Sequence, residues 1–138
     1  MNQPTLASDY WCLVSGEERH NTSPSTFELP SLADRKSLKP GQGAKLIFMI
    51  EGEEEDGTVS TSTERMWVIV TSREADGYMG ILDNQPASLP PETGFYLCQG
   101  AEVPFLPEHV IAIEDPPAQY SAEKLATPPT KRWRHREV

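Results

Sequence analysis

His109 lies between Glu108 and Val110, in the part of the chain where the patterning predicts a fold. A histidine beside a carboxylate or a thiol can serve as a general base, so Glu108 or Cys98 could be drawn as its partner. Catalysis asks for more than such a pair. The sequence holds no Gly-x-Ser-x-Gly elbow, no metal-ligand spacing and no phosphate-binding loop. The reading retained for His109 is therefore a surface or turn-stabilising residue, and no catalytic residue is assigned. Cys12 and Cys98 are far apart and form no C-x-x-C motif. They read as structural free thiols rather than as a zinc or redox site.

A second chemical candidate is acidic. Glu53, Glu54, Glu55 and Asp56 are contiguous, with Glu51 just before them and Gly57 just after. A calcium loop places its oxygen ligands at alternate positions around a central glycine, with a distal glutamate. This run lacks that spacing, so no metal and no cofactor is expected. It reads as a solvated hairpin tip whose like charges keep it mobile. Trp67 is a third candidate, as a stacking platform or an interface anchor. Its place on a strand with Ile69 favours half-buried packing. Tyr78 belongs to the same hairpin. In Asp83-Asn84-Gln85-Pro86, Asn84 could present polar groups to a groove, although Asn and Asp also stabilise turns locally. The candidate binding residues are thus Trp67, Tyr78, Asn84 and His109, with Glu53, Glu54, Glu55 and Asp56 as a separate acidic surface.

The elements that must hold these residues are short and mostly extended. Residues 1–8 read as a flexible polar arm, and 9–117 as one β-rich domain. Asp9-Tyr10-Trp11-Cys12-Leu13-Val14 has strand composition. Ser15 to Asn21 is polar and turn-prone, and Thr26-Phe27-Glu28-Leu29 reads as a short extended piece. Ser31 with Asp34 three residues on is a helix N-cap signature, giving one short helix over 31–37 that Pro40-Gly41 stops. In it Leu32 and Ala33 are expected to face the core, with Arg35 and Lys36 in water. Ala44, Leu46, Phe48 and Ile50 share one strand face. Ile47 and Met49 make the other face apolar as well, which predicts a central strand. Thr58 to Thr63 is too polar for a core. Beyond it, Met66, Val68 and Val70 alternate with Trp67 and Ile69. Ala75-Asp76-Gly77 predicts a hairpin turn in which Gly77 supplies a positive φ. Tyr78 to Leu82 is its partner strand, and Gly80 marks a bend or a close backbone approach. Ser88 to Thr93, with Pro90-Pro91, reads as a loop. Residues 94–98 and 101–105 read as two further strands, Pro107-Glu108-His109 as one helical turn and Val110 to Ile113 as the last strand. Residues 118–138 read as a basic, disordered tail with one helical piece at 121–126. The whole predicts a mainly β fold, a small partly closed barrel or strongly bent antiparallel sheet of SH3-like size.

Charge narrows the partners. The chain of 138 residues carries a net charge of −9. An acidic body argues against nucleic acid, whose phosphates need a basic footprint. It suits a basic protein partner. The apolar runs fall short of the ~20 residues that a membrane span needs. The first residues lack a secretory signal pattern, so a cytoplasmic location is expected.

Glu64-Arg65-Met66-Trp67-Val68, the Asp76-Gly77 and Gly80 turn, and Leu82-Asp83-Asn84-Gln85-Pro86 together resemble the uncharacterised bacterial YegJ-like family. Gly100 to Phe105 and His109-Val110-Ile111 are similar to that family's closing strands, so the resemblance covers about residues 38–113. It implies a small β fold and a bacterial source, and it carries no functional residues. The expected function is a non-enzymatic protein-interaction module, with an immunity-like role against a bacterial toxin as one form of it. The alternatives are a ligand-binding protein or enzyme with a pocket near Trp67 and His109, and a structural domain that self-associates through its tail.

Overall fold

The computed structural model describes residues 2–23, 28–89 and 94–133. It is a mainly β protein in which an antiparallel sheet curls into a half-barrel. The strands are β1 (Trp11–Val14), β2 (Gly43–Glu53), β3 (Val59–Arg73), β4 (Tyr78–Leu82), β5 (Glu102–Phe105) and β6 (Ala112–Glu114). They run side by side in the order β1-β2-β3-β4-β5, and β6 adds to β2 beyond the end of β1. Short helices punctuate them: α1 (Leu6–Asp9), α2 (Gly16–Thr22), α3 (Leu32–Arg35) and α4 (Ala118–Ala126), with a 3-10 turn at Pro107–His109. None of the described helices is long and apolar enough to cross a membrane.

β2 and β3 form the spine. Ala44, Leu46, Phe48 and Ile50 are buried on one face of β2, and Met66, Val68 and Val70 on the matching face of β3. Ile47 and Ile69 are buried on the opposite face, as expected of central strands. Trp11 stacks on Phe48, with ring centroids 5.9 Å apart, and on Tyr96 at 6.1 Å. Tyr78 stacks on Phe105 at 5.3 Å. Each such ring removes a large apolar area from water, and the offset pairs add a further increment.

Local chemistry explains where the structure departs from the sequence reading. Ser15 to Asn21 is not a turn but most of α2. Ser15 caps it by accepting the Glu18 N–H at 3.2 Å, and Glu17 and Glu18 occupy the favoured first turn. In α3 the cap is as expected, with Ser31 accepting from Asp34 N–H. Its facing differs in part: Leu32 and Ala33 are exposed, Lys36 is exposed as expected, and Arg35 is buried. Leu32 is 46% exposed, whereas Arg35 is only 6% exposed. The Arg35 guanidinium donates to Glu17 Oε2 at 2.7 Å and to the carbonyls of Pro30 and Pro107, so its charge is buried with a carboxylate partner.

Gly77 does close the β3–β4 hairpin, but not by a positive φ, which among the described glycines belongs to Gly41, Gly57, Gly94 and Gly100. A Cβ at Gly77 would lie 2.4 Å from the Phe105 carbonyl oxygen, so the requirement is close approach. Gly80 is tight against β3 in the same way, since a Cβ there would lie 2.9 Å from the Ile69 carbonyl oxygen. Residues 94–98 form no strand; β5 alone continues the sheet after β4.

Both ends of the described chain are docked, where a loose arm and a disordered tail were expected. Thr5 caps α1, and the Asn2 carbonyl accepts from Trp133 Nε1 at 3.1 Å. Trp133 is 4% exposed and packs edge-on against Trp11 and Tyr96. Burial of the indole offsets part of the entropy of ordering this segment, and main-chain bonds from Thr130 N–H to the Gly100 carbonyl and from Glu102 N–H to the Lys131 carbonyl add to it. Residues 24–27, 90–93 and 134–138 lie outside the described residues. So do the first part of the Thr26–Leu29 piece, Pro90-Pro91 and the basic Arg134 and Arg136.

Candidate functional site

The four residues expected to converge separate into three places. Tyr78 is 1% exposed, inside the core. Its hydroxyl donates to the Arg35 carbonyl at 2.8 Å and accepts the Leu38 N–H at 3.2 Å. It is a strut between β4 and the segment after α3. His109 is also buried, and its Nδ1 accepts the Leu106 N–H at 3.0 Å. It therefore closes its own 3-10 turn, the turn-stabilising role expected of it. Burial holds its pKa below the ordinary value, with Glu108 opposing. Neither residue lines the cleft described next.

Trp67 and Asn84 do meet. The Asn84 side-chain oxygen accepts the Trp67 main-chain N–H at 2.8 Å. Both line an open cleft of about 330 Å³ with Ile69, Glu114, Pro117 and Tyr120. The Lys45 ammonium stands 5.7 Å from the Trp67 ring centroid, consistent with their cross-strand pairing. One wall of the cleft comes from α4. There Tyr120 donates its hydroxyl to Asp83, and Lys124 forms an ion pair with the same carboxylate at 3.1 Å. The Asp83 hydrogen bond raises the pKa of the Tyr120 phenol and holds the Lys124 ammonium protonated above its usual range. Sequence reading missed Tyr120 and Lys124 because the segment after Pro117 carries a weak, polar pattern. The i, i+4 spacing of Tyr120 and Lys124 was the one available signal.

The acidic residues occupy a different place. β2 and β3 remain paired beyond the body of the sheet, through Glu51↔Thr61, Gly52↔Ser60 and Glu53↔Val59. Glu53, Glu54, Glu55 and Asp56 are all exposed at the end of this arm. Gly57, at φ 87°, turns the chain, and the Glu54 N–H donates to the Thr58 carbonyl at 2.8 Å. The Asp56 carboxylate accepts from both the Thr58 hydroxyl and the Thr58 N–H, which lowers its pKa. The tip thus closes as a hydrogen-bonded turn. Eight residues of strand separate Glu53 from Lys45, the partner of Trp67. At ~3.3 Å per residue the tip and the cleft are about 26 Å apart and cannot act on one small ligand.

Nothing in this geometry makes a nucleophile–base pair from the residues first considered. The Nδ1 atom of His109 is engaged, and the Cys98 thiol lies 3.7 Å from the Thr130 hydroxyl. Burial pushes the Cys12 thiol pKa up, away from nucleophilic use. Among the described residues, no group of three or more His, Cys, Asp or Glu is placed to hold a metal ion. No family model, curated protein or solved structure matches the chain.

Proposed function

We propose that this chain is a non-enzymatic interaction module whose β2–β3 arm docks a basic protein. The observation that carries the reading is the arm itself. A two-stranded ribbon exposed on both faces has little stability of its own. Here the ladder nevertheless continues out of the core to present a run of carboxylates. Clustered like charge at an exposed tip speeds encounter with an oppositely charged partner and selects against acidic ones. An immunity-like role against a basic toxin, within the YegJ-like family that residues 38–113 resemble, is one form of this reading.

The test is quantitative capture of cellular proteins by the wild type and by a variant with Glu53, Glu54, Glu55 and Asp56 all changed to Lys. Capture of basic proteins, weakened by salt and lost in the variant, supports the proposal. The same proteins held equally by both would sink it. A toxin gene beside this one would favour the immunity form. A second reading, a small-ligand site, rests on the convergence of Trp67 and Asn84 in one cleft. Its ligand would lie against Trp67 and Tyr120, and fluorescence quenching of Trp67 in a metabolite screen would detect it.

A further inference from the structure

The outer edge of β3 has a definite hydrogen-bonding phase. The Trp67 N–H and C=O both point away from β2, to Asn84 Oδ1 and to the Asp83 N–H. Glu51, which pairs with Thr61, sends its N–H the other way, to the Tyr10 carbonyl. In an antiparallel ladder this alternation has period two. The main-chain groups of Val59, Thr61 and Thr63 therefore face outward, away from β2. β4 begins its pairing only at Val68. Among the described residues, none donates to or accepts from these outward groups.

Natural edge strands are blunted by charge, proline or a bulge. Val59-Ser60-Thr61-Ser62-Thr63 has none of these, and Val59 is 62% exposed. We propose that this edge pairs with the same edge of a second copy, in a two-fold antiparallel dimer centred on Thr61. Val59 then opposes Thr63 of the other copy, and each outward N–H meets an outward C=O. A two-fold contact requires a self-complementary surface, and this segment is one. Its centre is uncharged, with the acidic tip at one end and Glu64-Arg65 at the other. Antiparallel pairing sets Glu64 and Arg65 of one copy opposite Thr58 and Gly57 of its mate, twice over. The two acidic tips sit about 33 Å apart at ~3.3 Å per residue. That is about four Debye lengths at physiological ionic strength, so their repulsion is screened. The proposal does not depend on a basic partner at the tip, because one arginine leaves most tip carboxylates uncompensated.

Sedimentation equilibrium of the full chain, from ~1 μM to ~1 mM, reads the dimer directly. The expected mass rises from 15.4 kDa towards twice that value. Thr61→Pro removes an outward N–H that β2 does not use, and Thr61→Lys places two like charges at the two-fold axis. Both variants should keep the far-UV spectrum and Tm of the wild type while weakening dimerisation by at least about tenfold. Ser62→Pro, which removes an N–H facing β2, should instead damage the fold. Protection of the Thr61 and Thr63 amides from exchange should grow with concentration. A monomer across the whole range overturns the proposal, as does a dimer indifferent to Thr61→Lys. Loss of the dimer with unchanged capture of basic proteins separates this edge from the docking tip.

Discussion

The same two strands pass through two environments. From Gly43 to Ile50, β2 is largely buried, as are its β3 partners Met66, Val68 and Ile69; from Gly52 outward, both strands are exposed. Register and backbone hydrogen bonding are continuous across the boundary. What changes is the side chains. Leu46, Phe48 and Ile50 give way to glycine and carboxylates, and Met66 and Val68 are replaced by Ser60 to Thr63 towards the tip. Hydrogen bonds made on folding largely replace bonds to water and contribute modestly net. The body is therefore held by apolar burial, and the arm by its attachment to the body. An element held that way can change its surface chemistry without cost to the fold, which suits it to recognition.

The strongest challenge to that contrast is Phe48→Ala in the body. It should destabilise the protein by about 3–5 kcal/mol, through lost transfer free energy and the cavity left among Trp11 and its neighbours. A shift of the urea midpoint at unchanged slope measures it. Tyr78→Phe comes next, at about 1–2 kcal/mol. It keeps the ring on Phe105 but leaves the Arg35 carbonyl and the Leu38 N–H without their partner. A pH effect should follow in smaller measure. Because the folded pKa of His109 lies below 6.5, the unfolded chain takes up the proton first. The stabilising contribution is complete above pH 6.5 and is lost as pH falls through the folded value. His109→Gln should flatten the dependence of Tm on pH in that window, whatever its own stability. Smallest of all, Glu54→Lys with Glu55→Lys should move stability by no more than about 0.5 kcal/mol. A large loss there would mean that the arm is structurally coupled to the core and would break the contrast.

Much of the sheet was legible because its signals are local. The period-two alternation of Ala44 to Ile50 and Met66 to Val70, the Asp76-Gly77 turn and the Gly57 turn each announce themselves over a few residues. The acidic tip was legible for the same reason, since it needs only a hairpin and no partner. The binding group was not. Trp67 and Asn84 share a cleft, while Tyr78 and His109 serve as struts elsewhere. Side-chain type cannot reveal that a tyrosine hydroxyl will be consumed by Arg35 and Leu38 backbone groups far along the chain. Arg35 itself read as a solvent residue, because its burial depends on Glu17, Pro30 and Pro107 arriving together.

The sequence by itself determined the mainly antiparallel architecture, the two-sided burial of β2, the helix cap at Ser31 and the charge of the arm. Each follows from neighbours in the chain, through alternation, turn chemistry or like-charge repulsion. Only the tertiary structure decided that Trp133 returns to pack edge-on against Trp11, that α4 walls the Trp67 cleft, and that β3 outruns β4 to leave an edge at Thr61. Those outcomes depend on contacts between segments distant in sequence. Their free energy exists only once the surfaces meet and water leaves between them.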